Sequence, residues 1–225
     1  NDTIQRIGEA LKQKKHIHER IYNYTTDGRG YWLDMNIVPL SNESGEILYF
    51  AAIERDITAQ QEKEDKLSAQ VNRDKLTGLL NRRGFDQVAE IAIKSALKQH
   101  FSMAFAMVDV DYFKKINDTY GHDVGDKALC ELTTIMQLSF RKTDLLGRFG
   151  GEEFIIAITD CPEDEALHKL NEFRDKVANS RIEINPTTKI KLTISIGIAF
   201  LENTNNNLKA LVKAADIALY RAKAS

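Results

Sequence analysis

The sequence predicts an α+β fold: a split β-α-β-β-α-β core, preceded by a helix and a set of antiparallel strands. Three observations carry this. A nearly continuous apolar run, Phe101 to Asp109, reads as a central strand buried on both faces. Gly150-Gly151 joins the β-rich runs Leu145 to Arg148 and Phe154 to Thr159, and tolerates the positive φ of a tight hairpin. Helix-period segments alternate with these strands in the order that a split unit demands.

Taken along the chain, Thr3 to Lys14 places Ile4, Ile7, Ala10 and Leu11 at helical spacing. Ile17 to Tyr24, Tyr31 to Leu40 and Ile47 to Asp56 are β-rich, separated by turn signals at Asp27-Gly28 and Asn42-Glu43-Ser44-Gly45. Thr58 to Lys75 is polar and free of Gly and Pro, which reads as a helical connector. Its apolar positions Ile57, Leu67 and Val71 are too sparse to choose between a paired and a solvated helix. Beyond it, Asp86 to Lys98 and Asp126 to Leu138 are helical by period, as are Glu163 to Ala178 and Leu208 to Ala224. Ile190 to Phe200 is the last strand. The expected division is 1–58 for the strand-rich piece, 59–73 for the connector and 74–225 for the split unit.

Composition excludes several classes. Lys plus Arg is 31 against 33 for Asp plus Glu, a formal charge of −2, which argues against binding a nucleic-acid polymer through global positive charge. Cys130 and Cys161 stand apart with no CxxC, which excludes a disulfide framework and suits a reducing, cytoplasmic setting. No apolar run approaches the roughly 18 residues of a membrane span, so no membrane contact is expected of this segment.

Acidic positions attract attention next. Asp109 ends an apolar strand, where a charge needs a partner. A hard divalent cation would serve, and so would a helix-capping role. Glu152 and Glu153 follow the two glycines on the returning strand, where alternation would point them to opposite faces. As an isolated string they also read as solvated hairpin acids. Between these sites, Asn117 to Asp126 is polar and Gly-punctuated, which reads as a ligand-hosting loop leading into a helix.

Together these segments resemble the GGDEF family of bacterial diguanylate cyclases from about Asp74 to Lys223. The motifs fall in order: DKLTGLLNRR from Asp74, DVDYFKKINDTYGHDVGD from Asp109, RKTD from Arg141, GRFGGEEF from Gly147, TISIGIA from Thr193 and ADIALYRAK from Ala215. The resemblance implies a ferredoxin-like, palm-type catalytic domain that condenses two GTP molecules into cyclic di-GMP and releases pyrophosphate. It implies Mg²⁺, with Mn²⁺ as a substitute, held by Asp109, the Val110 carbonyl, Glu152 and Glu153, with Glu152 also the catalytic residue. It assigns Asn117 and Asp126 to the guanine, His122 to the substrate site, and Lys114 and Lys223 to the triphosphate. It also implies a homodimer, and an inhibitory product site at Arg141 and Asp144. Alone, that RxxD pair reads as a surface ion pair of about 0.2–0.5 kcal/mol. The family's tail adds an arginine on phosphate, a segment absent from a sequence ending at Ser225.

The N-terminal piece is similar to the last half of a PAS sensor domain, with NYTTDGRGYWLDMNIVPL and GEILYFAAIERDIT as its final strands and exit. It is expected to be an excised fragment with an incomplete ligand pocket. Two other functional classes compete with the cyclase: a catalytically silent receptor for GTP or cyclic di-GMP, and a purely structural dimerisation module. A complete set of acids is unnecessary for the first and unexplained by the second.

Overall fold

The computed structural model describes residues 2–185, 188–203 and 207–224, and contacts divide the chain into compact units at 1–70 and 71–225. In the first unit, α1 (Asp2–Lys12) precedes an antiparallel meander of β1 (Ile17–Tyr24), β2 (Gly30–Ser41) and β3 (Ile47–Asp56). Gly28 and Gly45 adopt φ of 84° and 82° at the two turns, conformations that a side chain disfavours. Leu33, Met35 and Ile37 are buried at alternate positions of β2, the period-2 pattern of a half-buried strand.

The exit from this sheet is tied by a small network. Thr58 donates from its backbone N and its Oγ1 to Asp56 Oδ1, at 2.9 and 2.6 Å, while Trp32 N donates to Thr58 Oγ1 at 2.9 Å. The chain then enters α2 (Thr58–Asn72), which ends three residues before the polar run from Thr58 to Lys75 does. Ile57 is buried in the first unit, so it is withdrawn from any exposed seam along α2. Val71 is exposed, and the Leu67 side chain lies outside the described residues.

In the second unit, β4 (Leu80–Asn81) and α3 (Arg82–Gln99) lead to β5 (Met103–Val110), α4 (Phe113–Tyr120) and α5 (His122–Ser139). β6 (Leu145–Gly150), β7 (Glu153–Thr159) and α6 (Glu163–Asn179) follow, then β8 (Ile182–Asn185), β9 (Thr188–Ile190), β10 (Ile194–Phe200) and α7 (Leu208–Lys223). The five-stranded sheet runs β10-β5-β7-β6-β4, antiparallel except for the β4–β6 pair. Its β5, β6, β7 and β10 with their intervening helices form the expected split β-α-β-β-α-β unit.

Every residue of β5 is buried, because helices cover both faces of the sheet. On one face Val108, Phe154 and Ile156 pack with Leu129 and Leu132 of α5 and Phe173 of α6. On the other, Phe105, Met107 and Ile155 pack with Phe85 of α3 and Leu211 and Leu219 of α7. A central strand so placed cannot show an amphipathic alternation, which is why its sequence is a near-continuous apolar run.

Three expectations need correction. The segment from Asn117 to Asp126 is helical rather than a loop: α4 and α5 are separated by Gly121 alone, at φ 86°. Accordingly α5 begins at His122, four residues before Asp126. The run from Ile190 to Phe200 is broken, since Ile190 pairs with Ile182 in the β8–β9 hairpin and only Ile194 onward joins β5. Finally α3 begins at Arg82 because the Asn81 side chain accepts from Gly84 N at 3.0 Å and caps it.

Helix α7 rests on β10 at Gly197, where an added Cβ would run into the Leu219 backbone nitrogen and the Ala215 carbonyl. Backbone, unlike a flexible side chain, cannot swing aside. Gly197→Ala should therefore lower the unfolding free energy by about 1–3 kcal/mol, as overpacked cores do. Urea denaturation measures it, and an unchanged midpoint would show that the α7–β10 contact is looser than described.

Candidate functional site

The site begins where the burial of β5 runs out. Asp109 is the penultimate residue of the strand and only 6% exposed, so its carboxylate sits at the edge of the core. Strand register sets Glu153 directly opposite it on β7 and Ser195 opposite on β10. Val110 N donates to the Glu152 carbonyl at 3.3 Å, which stitches the end of β5 to the hairpin tip. Asp109, Val110, Glu152 and Glu153 are thereby brought together. Because β7 starts at Glu153, Glu152 belongs to the turn, and strand alternation does not decide its direction.

The hairpin tip depends on backbone freedom rather than space. Gly150 and Gly151 adopt φ of 148° and 52°, and nothing lies within 4 Å of a Cβ added at either. Its shape is held from outside by Arg148, whose Nε and Nη2 donate to the Gly151 carbonyl at 3.0 and 2.7 Å. Nη1 of the same guanidinium donates to Asp74 Oδ1 at 3.0 Å, and Thr77 donates to that oxygen from its N and Oγ1. Asp74 and Arg148 stand inside motifs visible in the sequence, yet their separation along the chain hid the pairing.

The electrostatics are those of crowded acids. Partial desolvation, then the charges of Asp109, Asp216 and Glu152, push the Glu153 carboxyl above the usual glutamate range, while Lys223 pulls it back. Lys223, in the last turn of α7, places Nζ 2.7 Å from Asp109 Oδ1. Lys223 is thus the cationic side chain paired with Asp109 among the described residues. Among the described residues no three His, Cys, Asp or Glu side chains converge into a ready-made metal centre. The donors nonetheless fit a hard cation such as Mg²⁺, being oxygen atoms only, carboxylates that raise one another's affinity for positive charge.

Two residues lead from Val110 into α4. Asp111 N donates to the Thr193 carbonyl at 3.0 Å, and Ser195 Oγ donates to Asp111 Oδ1 at 2.7 Å. Tyr112 then takes φ 55°, an uncommon conformation for an aromatic residue, which turns the chain so that Phe113 is buried. On α4, Asn117 sits against α5 where Gly125 has no side chain; a Cβ there would occupy the place of Asn117 Oδ1. Among the described residues that buried Oδ1 finds no hydrogen-bond partner. Asp126, next after Gly125, is exposed, as are Lys114 and His122. Asn117 and Asp126 thus stand on two helices in contact with each other, and a carboxamide and a carboxylate both offer acceptors to a base with adjacent N–H donors. Sequence reasoning passed over Gly125, although a glycine inside a helix is the available signal of close approach.

A groove of about 550 Å³ adjoins Glu153 on the α3–α7 face, where Arg82 Cζ lies 5.2 Å over the Phe149 ring. Asn117, His122 and Asp126 do not line it.

Arg141 and Asp144 are differently disposed. Arg141 is exposed, whereas Asp144 is buried and fully engaged: Oδ2 accepts from Arg141 N at 2.9 Å, Oδ1 accepts from Thr159 N at 3.2 Å, and Lys169 Nζ lies 3.6 Å away. The pair is therefore no surface ion pair; the acid meets the arginine's backbone, not its guanidinium.

Comparison with known proteins adds the following. The family described as diguanylate cyclase, GGDEF domain, matches residues 71–225, and a PAS domain family matches 1–59. The diguanylate cyclase DgcM of Escherichia coli is 40% identical over 171 residues, 76% of this chain and 40% of that protein. The response regulator PleD of Caulobacter vibrioides is 37% identical over 153 residues, 68% of this chain and 34% of that protein. The GGDEF domain of DgcB from Caulobacter crescentus, solved with c-di-GMP, superposes with a TM-score of 0.64 at 27% identity, covering 68% of this chain and 88% of that one. The chain spans half or less of the length of these curated relatives.

The Asp74–Arg148 clamp has a pH signature. Partial burial works to raise the Asp74 pKa, but the Thr77 hydrogen bonds and Arg148 outweigh it and hold it below the ordinary 3.8. A carboxyl lowered on folding stabilises the fold above its unfolded pKa and loses that contribution as pH falls through the folded value. Asp74→Asn should therefore destabilise the protein at pH 7, with the gap to wild type narrowing as the pH is taken below 3.8. Urea titrations at both pH values measure it; a gap that is constant with pH would remove the charge from the clamp.

Proposed function

The chain belongs to the GGDEF family of diguanylate cyclases, and we propose that it condenses two GTP molecules into cyclic di-GMP with release of pyrophosphate. The observation that carries this reading is the strand register that sets Asp109 opposite Glu153, with Glu152 tied to Val110 at the hairpin tip. Asp109, the Val110 carbonyl, Glu152 and Glu153 would hold Mg²⁺, which when bound neutralises charge on the phosphates. Glu152 is the catalytic residue of this reading: from the turn next to Glu153 it would accept the proton of the attacking 3′-hydroxyl. That hydroxyl displaces pyrophosphate from the α-phosphorus of the second GTP. Lys114 and Lys223 serve the triphosphate, and His122 contacts the substrate.

Base choice falls to Asn117 and Asp126. Guanine presents N1–H and N2–H₂ as adjacent donors, which the exposed Asp126 carboxylate can accept together, with the Asn117 carboxamide on the adjoining helix as the second base contact. Adenine would set an acceptor against them. Sites built on such hydrogen bonds discriminate by about 10⁴ or more.

A product made of two identical halves is most simply assembled by two such sites facing each other, hence a homodimer. Product inhibition is assigned to the exposed Arg141 guanidinium, which can fork onto phosphate or a guanine edge. Asp144, being engaged inside, shapes that loop.

Incubation with GTP and Mg²⁺, assayed for pyrophosphate and cyclic di-GMP, is the direct test. Wild type should form both, Asp109→Ala and Glu152→Ala should form neither while keeping wild-type circular dichroism, and ATP should be a very poor substrate. GTP binding without pyrophosphate release in wild type would instead indicate a receptor. A concentration-independent monomer with full specific activity in sedimentation would reject the dimer.

Arg141→Ala should relieve inhibition by cyclic di-GMP without slowing the initial rate. Inhibition unchanged in that variant would remove Arg141 from the product site.

A further inference from the structure

Asp109 and Lys223 form a close ion pair, and the joint has a consequence for how ligands enter. Asp109 is almost wholly buried, and Oδ1 is held at 2.7 Å by the Lys223 ammonium. Lys223 is delivered there by the rigid seat of α7 on β10 at Gly197, in the last turn of a helix whose Leu211, Ala215 and Leu219 are core residues. Glu153 lies opposite Asp109, with Glu152 and Asp216 contributing further negative charge. Among the described residues, no other Lys or Arg forms an ion pair with Asp109, Glu152 or Glu153.

A magnesium ligand oxygen stands about 2.0–2.1 Å from its ion. An ammonium on the same oxygen would then face a divalent cation at close quarters, so the two occupants exclude each other. Withdrawing Lys223 without replacement would strand the buried Asp109 carboxylate, while the lysine itself, already half-exposed, would pass into water. A triphosphate arriving with its metal supplies both the displacing charge and a new anion for the lysine, whose four-carbon stem allows the short swing.

We propose that Lys223 is a resident counter-ion, occupying Oδ1 of Asp109 until a nucleoside triphosphate draws it away, so that cation and nucleotide enter as one unit. The proposal rests on the reading of Asp109 as a metal carboxylate. It gives the lysine two positions and makes the nucleotide-free site a poor binder of free divalent ions. The device keeps the acid cluster neutralised in the empty protein, and couples two ligands through one side chain.

The test is binding of Mn²⁺ to the full chain without nucleotide, followed by electron paramagnetic resonance or calorimetry. Lys223→Met and Lys223→Gln should bind free Mn²⁺ about 10-fold more tightly than wild type, within the roughly 5–150-fold range of site-to-site coupling. Their melting temperatures should fall below wild type and recover with Mn²⁺, whereas wild type should barely respond. No tightening in either variant would overturn the proposal. Asp109→Asn, titrated with Mn²⁺ in the presence of a non-hydrolysable GTP analogue, separates the two claims. Weakened Mn²⁺ binding there, with both Lys223 variants unchanged, rejects the exchange alone. Undiminished Mn²⁺ binding rejects Asp109 as a metal ligand, and the exchange with it.

Discussion

A carboxylate at the end of a strand that is buried on both faces is the constraint on which the rest of this domain turns. Removing a charge from water is costly unless it is paired and hydrogen-bonded. The two helical layers that cover β5 leave Asp109 almost no solvent. The hairpin then sets further acids against it, which worsens the imbalance. An arrangement of this kind persists only with a cation in it. Lys223 is that cation in the present structure, and it reaches the site because α7 is fixed to β10 at a glycine.

The hairpin is held by a second cation with a separate task. Arg148 binds no carboxylate of the acid cluster; it fastens the Gly151 carbonyl to Asp74, at the turn that follows α2. A tip made of two glycines at positive φ has large conformational freedom, and a positioned acid needs that freedom removed. Fastening by a planar guanidinium is suited to it, since its donors are fixed relative to one another. Lys223 thus supplies charge and Arg148 supplies shape.

The fold was legible where periodicity is strong. The apolar run of β5, the Gly-Gly hairpin and the helices α6 and α7 all stand within a few residues of where their patterns put them. It was illegible where a local signal competed with packing. The polar, glycine-bearing stretch from Asn117 reads as a loop, yet Phe113, Ile116 and Val124 give its two helices an inner face, and one glycine at φ 86° turns between them. Ile190 has strand chemistry, and only the β8–β9 pairing shows that it belongs to a different sheet from Ile194. The acids of the site could be read from motif and position. Their partners could not: Asp74 with Arg148 and Asp109 with Lys223 are distant in sequence, and pattern within one segment carries no information about them.

The turn at Tyr112 shows how the two ends of the site are kept in register. An aromatic residue at φ 55° is strained by about 1–2 kcal/mol relative to ordinary backbone, and such strain persists only when its surroundings leave no alternative. Here the chain is pinned on both sides. Asp111 is bound through its nitrogen to Thr193 and through its carboxylate to Ser195, both on the β10 side, and Phe113 is buried immediately after. Relaxing Tyr112 would require pulling one of these free. Asp109 lies before the turn and Asn117 beyond it, so under the proposed reading a nucleotide bound at both would meet a separation that the backbone has already set. Preorganisation of that kind lowers the entropic cost of holding one flexible ligand at two points, and a modest local strain is its structural mark.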